Sequence, residues 1–521
     1  MDQGNTTYEQ RSAVKNGISR LFFTAISIVI EFLFIVMVAM RLNENAEWIA
    51  MGTRLLAAFI VLGIYSQHKT ASLKMPWIVL IMLLPVFGVT LYLFIGLNGS
   101  TRRMQMRYER VDMALLPLLP NGAQARRQLE KQAPSVAGIT RYLYRYAGYP
   151  VYDNTKVEYF DDAAVALEAQ KQALARAEHF IFMEYHAIED AESWHGILSI
   201  LEERVKAGVE VRVFYDDLGS IGFITTDFIR RMEAKGIQCR VFNPFAPWLN
   251  LFLNNRDHRK ITVIDGQVGF TGGYNLANEY FHITSPFAYW KDTGVKLTGP
   301  AVRSLTVTFL EMWNAVSKAG KEDMDYTRYL PPARETFSDA GFVLPYADSP
   351  IDNEHVGEEV YLSMVESARR YAWFITPYLI LTDEMIHALA LAAKRGVDVR
   401  IITPGIPDKK LIYSVTRSYY NALARYGVRI YEYTPGFCHA KMSIVDDIAA
   451  TCGTINLDYR SLYHHFENGC LYCCNQAVMD TKADFEAMFE QSLEVSELYR
   501  SGRSRSLRLF QLILRLFAPL L

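Results

Sequence analysis

The sequence is short of cysteine, of net charge and of metal-binding signatures, and each shortage removes a class of explanation. Six cysteines in 521 residues are too few for a disulfide framework. A formal net charge of -2 argues against wholesale nucleic-acid binding, which leaves a clearly basic domain. No H-E-x-x-H cluster is present. The run Cys470-Leu-Tyr-Cys473-Cys474 lies in apolar, strand-like sequence with no second Cys/His pair, so it reads as buried core. The N-terminus also lacks the short apolar core and small-residue cleavage site of a secretory signal. What the chain has in quantity is apolar surface: 50% of residues are hydrophobic and 13% aromatic.

That surplus is concentrated in the first hundred residues, in three stretches near the bilayer-spanning length of about 20 residues. Leu21 to Met40 carries one acid, Glu31. Trp48 to Ser66 is interrupted by Arg54. Trp77 to Leu97 has Trp77 and Tyr92 near its ends, as interfacial aromatics stand. Two or three transmembrane helices are therefore expected over residues 1–100, followed by a linker over 101–134. With three spans the flanking Lys and Arg divide five against five, so charge gives no orientation. At the other end, SLRLFQLILRLFAPLL over residues 506–521 places Arg508, Gln511 and Arg515 on one narrow polar face. A basic amphipathic helix over 501–521, lying on anionic lipid, fits that pattern.

Between these ends, short β-rich runs alternate with helical ones, the pattern of an α/β fold, and the runs recur. Ala207-Gly-Val-Glu-Val-Arg-Val213 is echoed by Arg395-Gly-Val-Asp-Val-Arg-Ile401. Phe180-Ile-Phe-Met-Glu-Tyr185 is echoed by Trp373-Phe-Ile-Thr-Pro-Tyr378. Two similar α/β halves, 135–330 and 331–500, account for this most economically.

Each half carries one constellation. The first reads His258-Arg-Lys260-Ile-Thr-Val-Ile-Asp265, then Gly272-Gly273-Tyr-Asn275. The second reads His439-Ala-Lys441-Met-Ser-Ile-Val-Asp446, then Gly453-Thr454-Ile-Asn456. A lone H-x-K-x4-D arises by chance in about one such chain in twenty-five, and the doubled, trailed motif far more rarely. His and Lys two apart on a strand share a face, so each half offers both to one cleft. Two imidazoles, two ammonium groups and two amides (Asn275, Asn456) around one point suit a phosphodiester. The cations offset its charge, one imidazole attacks phosphorus and the other protonates the leaving oxygen. The lysines replace a metal as counter-charge, so no metal or other cofactor is expected. Asp265 and Asp446 are expected to orient the site, with an Asp–imidazole contact as the alternative. Glu184 and Glu467 are further candidates, as acids to pair with imidazole or substrate. Tyr185 and Tyr378 read first as core or rim.

The doubled motif is that of the phospholipase D superfamily, and the chain from about Trp48 onward resembles the bacterial cardiolipin synthases. The resemblance runs through Arg256-Asp-His-Arg-Lys260, Phe270-Thr-Gly-Gly-Tyr274, Trp290-Lys-Asp292, Tyr431-Glu-Tyr-Thr-Pro-Gly-Phe437 and Asn456-Leu-Asp-Tyr-Arg-Ser461, then Phe466-Glu467. Asp447 stands where that family often has Gly, and Thr454 where it often has Ser, which keeps the hydroxyl. The resemblance implies two phospholipase D-like halves forming one pseudo-symmetric catalytic unit behind a transmembrane region, in a multi-pass protein of the bacterial cell membrane. It implies transfer of a phosphatidyl group between two phosphatidylglycerols through a phosphohistidine, with His258 the expected nucleophile and His439 the acid and base. Phosphatidylethanolamine is an alternative co-substrate, and no nucleic acid is expected as partner. Hydrolysis to phosphatidic acid, transfer to another alcohol, a related nuclease and a membrane scaffold with a decayed site are the rival readings.

Overall fold

The computed structural model describes residues 8–500 except 45–46, 68–69, 94–98, 245–253, 318–319, 321, 339 and 353, together with Arg515. Everything below concerns these residues. The amphipathic helix expected over 501–521 lies outside them, apart from Arg515, whose guanidinium sits 4.4 Å from the centre of the Tyr419 ring.

Four helices lead the chain: α1 (Tyr8–Glu44), α2 (Glu47–Tyr65), α3 (Ala71–Leu83) and α4 (Pro85–Leu91). One of them is long and apolar enough to cross a membrane, with its apolar window at Gly17–Phe34. Two or three spans are expected from the sequence and the described residues offer one candidate; that helix suggests membrane association, and a multi-pass arrangement is not supported. The apolar part of α2 is only Met51–Tyr65. The third stretch is broken at Leu84, whose φ of -131° and ψ of 71° leave the helical region. Pro85 causes the break, because its ring disfavours a helical conformation in the residue before it. The chain then folds back, so that α4 packs on α3 at a distance only glycine permits. A Cβ added at Gly88 would lie 2.6 Å from the Ile81 Cα. Edge-on ring pairs, Phe32 with Phe87 at 5.6 Å and Trp77 with Tyr92 at 5.3 Å, tie the group together.

The residues expected as a linker are largely helical and packed. In α5 (Gly99–Leu115), Tyr108 donates to Glu311 at 3.0 Å and accepts from Arg259 at 2.8 Å, and Leu115 is fully buried.

The first half contributes β1 (Lys156–Phe160), β2 (Phe180–Tyr185), β3 (Glu210–Asp216), β4 (Gln238–Phe242), β5 (Arg256–Asp257), β6 (Lys260–Ile264), β7 (Val268–Gly272), β8 (Tyr289–Lys291) and β9 (Gly294–Thr298). The second contributes β10 (Phe342–Asp348), β11 (Tyr371–Ile375), β12 (Asp398–Pro404), β13 (Arg429–Tyr433), β14 (Gly436–Cys438), β15 (Met442–Val445), β16 (Ala449–Gly453), β17 (His465–Cys473) and β18 (Ser492–Glu494). The sheets run β1-β9-β7-β6-β2-β3-β4 and β10-β17-β16-β15-β11-β12-β13-β18. Strand for strand the second repeats the first and adds β18. In each, a parallel trio (β2, β3, β4; β11, β12, β13) adjoins an antiparallel group. The helix that leads into β2 is N-capped by Asp162 and the helix between β11 and β12 by Thr382, whose side chains accept from the backbone at Ala164 and Met385. The sheets meet over one continuous core in which Phe182 and Phe309 stack at 4.6 Å, with Trp373 and Tyr431 on the far side. Cys470 and Cys473 lie in β17 and are buried as free thiols within this packing.

Two strands defect. β5 leaves its own half and pairs in parallel with the start of β17, and β14 pairs in parallel with β8. These exchanges stitch the halves together immediately before each motif histidine.

A side chain at position 88 must push the α3 backbone aside, and overpacking of this kind costs about 1–3 kcal/mol. Gly88→Leu should therefore expose the α3–α4 turn to protease in detergent. The melting transition of the two-sheet unit should stay within a degree or two of the parent.

Candidate active site

The histidines do not sit inside sheet strands as the spacing predicts. Each occupies the short crossing from an exchanged strand to a sheet strand: His258 between β5 and β6, His439 between β14 and β15. The backbone N–H of His258 donates to Phe466 O at 2.8 Å, and that of His439 to Lys291 O at 2.8 Å. Both are cross-half bonds. They fix the position from which each imidazole enters a shared cavity of about 690 Å³.

Each imidazole is oriented by a carboxylate from the opposite half. Glu467 lies 2.9 Å from His258 Nδ1, and Asp292 lies 2.7 Å from His439 Nδ1. A carboxylate accepting from Nδ1–H leaves Nε2 as the free, basic nitrogen. Glu467 is itself held by Ser461 Oγ at 2.7 Å and by the hydroxyl of Thr454. That explains why the motif carries a hydroxyl residue in the second half and Gly273 in the first. A Cβ at 273 would lie 2.1 Å from Asp292 Oδ1, so only glycine lets that carboxylate approach.

Electrostatics follow from burial. Desolvation and the neighbouring Lys441 push the His439 imidazole down to about 4, and desolvation pushes His258 well below its ordinary value. Both rings are therefore neutral near pH 7. Desolvation works against the carboxylates too, but His258 holds Glu467, and Lys441 with His439 holds Asp292, below the ordinary range. The lysines lie beneath the rings. Lys260 Nζ donates to His258 O at 2.6 Å, and Lys441 Nζ lies 3.0 Å from His439 Nε2. Burial brings Lys260 down to about 7, with Lys441 adding to the effect, and Lys441 down to about 8.

Asn275 and Asn456 both line the cavity. Asn275 is tied to Tyr280 OH at 2.8 Å, whereas Asn456 Oδ1 has no hydrogen-bond partner. Tyr378 lines the cavity, its hydroxyl bonded to Asp408 at 2.5 Å. Tyr185 lies below it, bonded to Gln170 at 3.0 Å.

Three of the candidate residues stand outside the cavity. Asp265 and Asp446 do not reach the cavity and make no imidazole contact. Asp265 accepts from the backbone of Glu178, His179 and Phe180 at 2.8, 2.7 and 2.8 Å. Asp446 accepts from Arg369, Arg370 and Tyr371 at 2.7, 2.8 and 2.9 Å. These carboxylates pin the entry of β2 to the end of β6, and of β11 to the end of β15. They position the strands rather than touch a ligand. Glu184 is also absent from the cavity. It sits under the site, 3.9 Å from Arg259, where burial raises its carboxyl well above the ordinary range.

Sequence reasoning missed Asp292 as the partner of His439, and it missed two cavity-lining imidazoles, His186 and His465. Their rings stand 4.9 and 5.4 Å from that of His258. His439 is instead walled by aromatics, with Tyr280 at 5.3 Å and Trp290 at 5.6 Å.

Asp446→Ala removes the acceptor for three backbone N–H groups, and bonds to a charged acceptor contribute about 1.5–3 kcal/mol each. The expected result is a loss of at least about 4 kcal/mol in chemical denaturation. The fraction that remains folded should keep its affinity for a phosphate ligand.

The comparisons agree with this geometry. The family model described as "Cardiolipin synthase, PLD-like domain" matches twice, at residues 171–313 and 361–491. "Phospholipase_D-nuclease N-terminal" matches residues 55–96. A protein of Streptococcus mutans named only as uncharacterized is 43% identical over 88% of this chain and 98% of its own. A cardiolipin synthase of Halalkalibacterium halodurans is 33% identical over 89% of this chain and 91% of its own. Cardiolipin synthase 1 of Bacillus cereus is 30% identical over 96% and 98%. Among solved structures, the phosphatidylserine synthase of Haemophilus influenzae superposes with a TM-score of 0.54 at 14% identity, over 74% of this chain and 98% of that one, a likeness of fold. With the model matched once in each half and both motifs converging on one cavity, the chain belongs to the cardiolipin synthase, phospholipase D-like family of phospholipid enzymes.

Proposed function

We propose that this enzyme is a cardiolipin synthase, which transfers the phosphatidyl group of one phosphatidylglycerol to a hydroxyl of a second and releases glycerol. The observation that carries the reading is the pair of neutral imidazoles in one cavity, each oriented by a carboxylate from the other half, above two buried lysines. Such a pair does two-step transfer without changing partners. His258 Nε2 attacks the phosphorus of the first lipid. The bond to glycerol breaks, and His439 gives that oxygen a proton. His439 then takes the proton of the incoming lipid hydroxyl, whose oxygen attacks the same phosphorus. Cardiolipin leaves and His258 is regenerated. An imidazole lowered to about 4 holds no second proton to give in the empty site. The phosphodiester anion beside it raises its proton affinity, so the acid forms where it is used. Lys260 and Lys441 stabilise the extra charge on the five-coordinate phosphorus in a dry site. His258 takes the nucleophile's role because its carboxylate is the more firmly held of the two.

The place of the cavity supports a lipid acceptor. Leu218, Gly219 and Phe223 line its mouth, and beside them Arg20 of α1 pairs with Asp217 at 2.6 Å. Gly17, where the apolar window of α1 begins, packs on the Ile221 carbonyl. Thr70, just before α3, bonds to Tyr463 of the second half at 3.1 Å. The membrane helix therefore packs beside residues that line the cavity, and a site held at a bilayer meets lipid hydroxyls at high effective concentration.

Purified protein in liposomes of phosphatidylglycerol alone should give cardiolipin and glycerol in equal amounts by lipid mass spectrometry. Phosphatidic acid alone would make it a hydrolase, and product only on adding phosphatidylethanolamine would change the co-substrate. His258→Ala and His439→Ala should each abolish turnover, because His258 forms the intermediate and His439 serves both steps. Lys260→Met or Lys441→Met should lower kcat by about 10²–10³-fold, the usual loss for one charge-stabilising donor. The lysines carry charge below about 7 and about 8 and lose it above. The alkaline limb of kcat/KM should therefore fall between pH 7 and 8, well under the value of about 10.4 for a free lysine. A limb near 10 would remove the buried lysines from phosphate binding.

A further inference from the structure

His465 has no assigned task in this site. It is buried, it lines the cavity, and neither ring nitrogen has a hydrogen-bond partner. Its Nδ1 comes only to 3.5 Å of Glu467 Oε1, at the outer limit of a hydrogen bond. Buried polar atoms left unpaired are uncommon, and one explanation for them is an ion. His258, His465 and Glu467 each place one ligand atom so that all three lie within 4.8 Å of one another.

We propose that His258, His465 and Glu467 form a transition-metal site, suited to Zn²⁺, whose occupancy switches the enzyme off. Two imidazoles and a carboxylate with a fourth position open to water are an ordinary zinc donor set, at about 2.0–2.2 Å from each ligand. Ligands around such an ion stand roughly 3.3 Å apart, closer than the outer bound here, so the set must tighten. His465 supplies the movement, because no hydrogen bond holds its ring. His186 stands on the same wall, its Nδ1 committed to the Asp257 carbonyl at 2.7 Å and its Nε2 left over. Among the described residues the His439 side has no comparable imidazole: beside Asp292 and Lys441, its ring neighbours are Tyr280, Trp290 and Phe437. The ion takes both the His258 imidazole and the carboxylate that orients it, so attack on phosphorus stops while it is bound. Metal binding is independent of the reaction proposed above; the inhibition rests on it.

The test uses the full chain in detergent and Zn²⁺ alone. Equilibrium dialysis should find one tightly held Zn²⁺ per chain, and Co²⁺ in its place should give the visible absorption of a four-coordinate site. Mg²⁺ and Ca²⁺, which favour all-oxygen ligands, should not compete. His465→Asn should lose the bound Zn²⁺. Its transfer rate, scaled to its own metal-free rate, should need at least tenfold more Zn²⁺ to fall by half. His195→Ala, at an exposed pair with Asp190, should change neither reading. Absence of a stoichiometric Zn²⁺ in the unaltered chain, or equal binding by His465→Asn, overturns the site. Full transfer with the site loaded would leave the metal site standing and overturn the role given to His258.

Discussion

The exchange of carboxylates between the halves is the constraint on which the rest of this structure depends. Neither half contains a working imidazole–acid pair. His258 belongs to the first half and Glu467 to the second, while His439 belongs to the second and Asp292 to the first. The strands that swap sheets deliver these residues, because β5 and β14 end immediately before the histidines and pair beside the acids. A buried charge left without its partner is costly, commonly 3–5 kcal/mol. Separation of the halves would strand two carboxylates and two lysines at once, so docking and assembly of the site are one event. The long core shared by both sheets, with the helix Val302–Ala315 buried along its whole length, supplies the apolar burial that offsets this concentration of charge.

The same economy appears in how the motif residues divide their labour. Histidine lines the cavity with lysine beneath it, whereas aspartate, seven residues after the histidine, ties a sheet strand to its neighbour. Both aspartates take a left-handed turn, with φ of 53° and 54°, and turn their carboxylates onto three consecutive N–H groups. The triad is thus one pair at the cavity and one structural clamp. Beneath the site, Arg259 with Glu184, Asp257 and Glu311 forms a second buried cluster that α5 joins through Tyr108. The segment between membrane and catalytic unit is in this way part of the catalytic core.

Much of this was legible in the sequence. The doubled motif announced two halves and one cavity, and the echoed strand sequences announced that the halves share a topology. Asp292 was not legible, because it follows Asn275 by seventeen residues whereas Glu467 follows Asn456 by eleven, which hides their equivalence. Glu184 misled because it precedes an aromatic in a strand, yet its structural counterpart in the second half is Ile375, each pairing with the residue after its motif lysine. An acid serving a symmetric site should have had an acidic partner there. The apolar run from Trp77 read as a span on hydropathy alone, but Pro85 sat in its middle, and the residue before a proline leaves the helix.

The pairing of Arg20 with Asp217 bears on where the product ends up. α1 packs beside residues that line the cavity, near the start of its apolar window. If the proposed transfer draws both lipids through one opening beside that helix, the first glycerol leaves before the second lipid reacts. Both phosphatidyl groups of each cardiolipin would then be drawn from the same monolayer. The four acyl chains would remain there, and supplying the other monolayer would fall to lipid translocation.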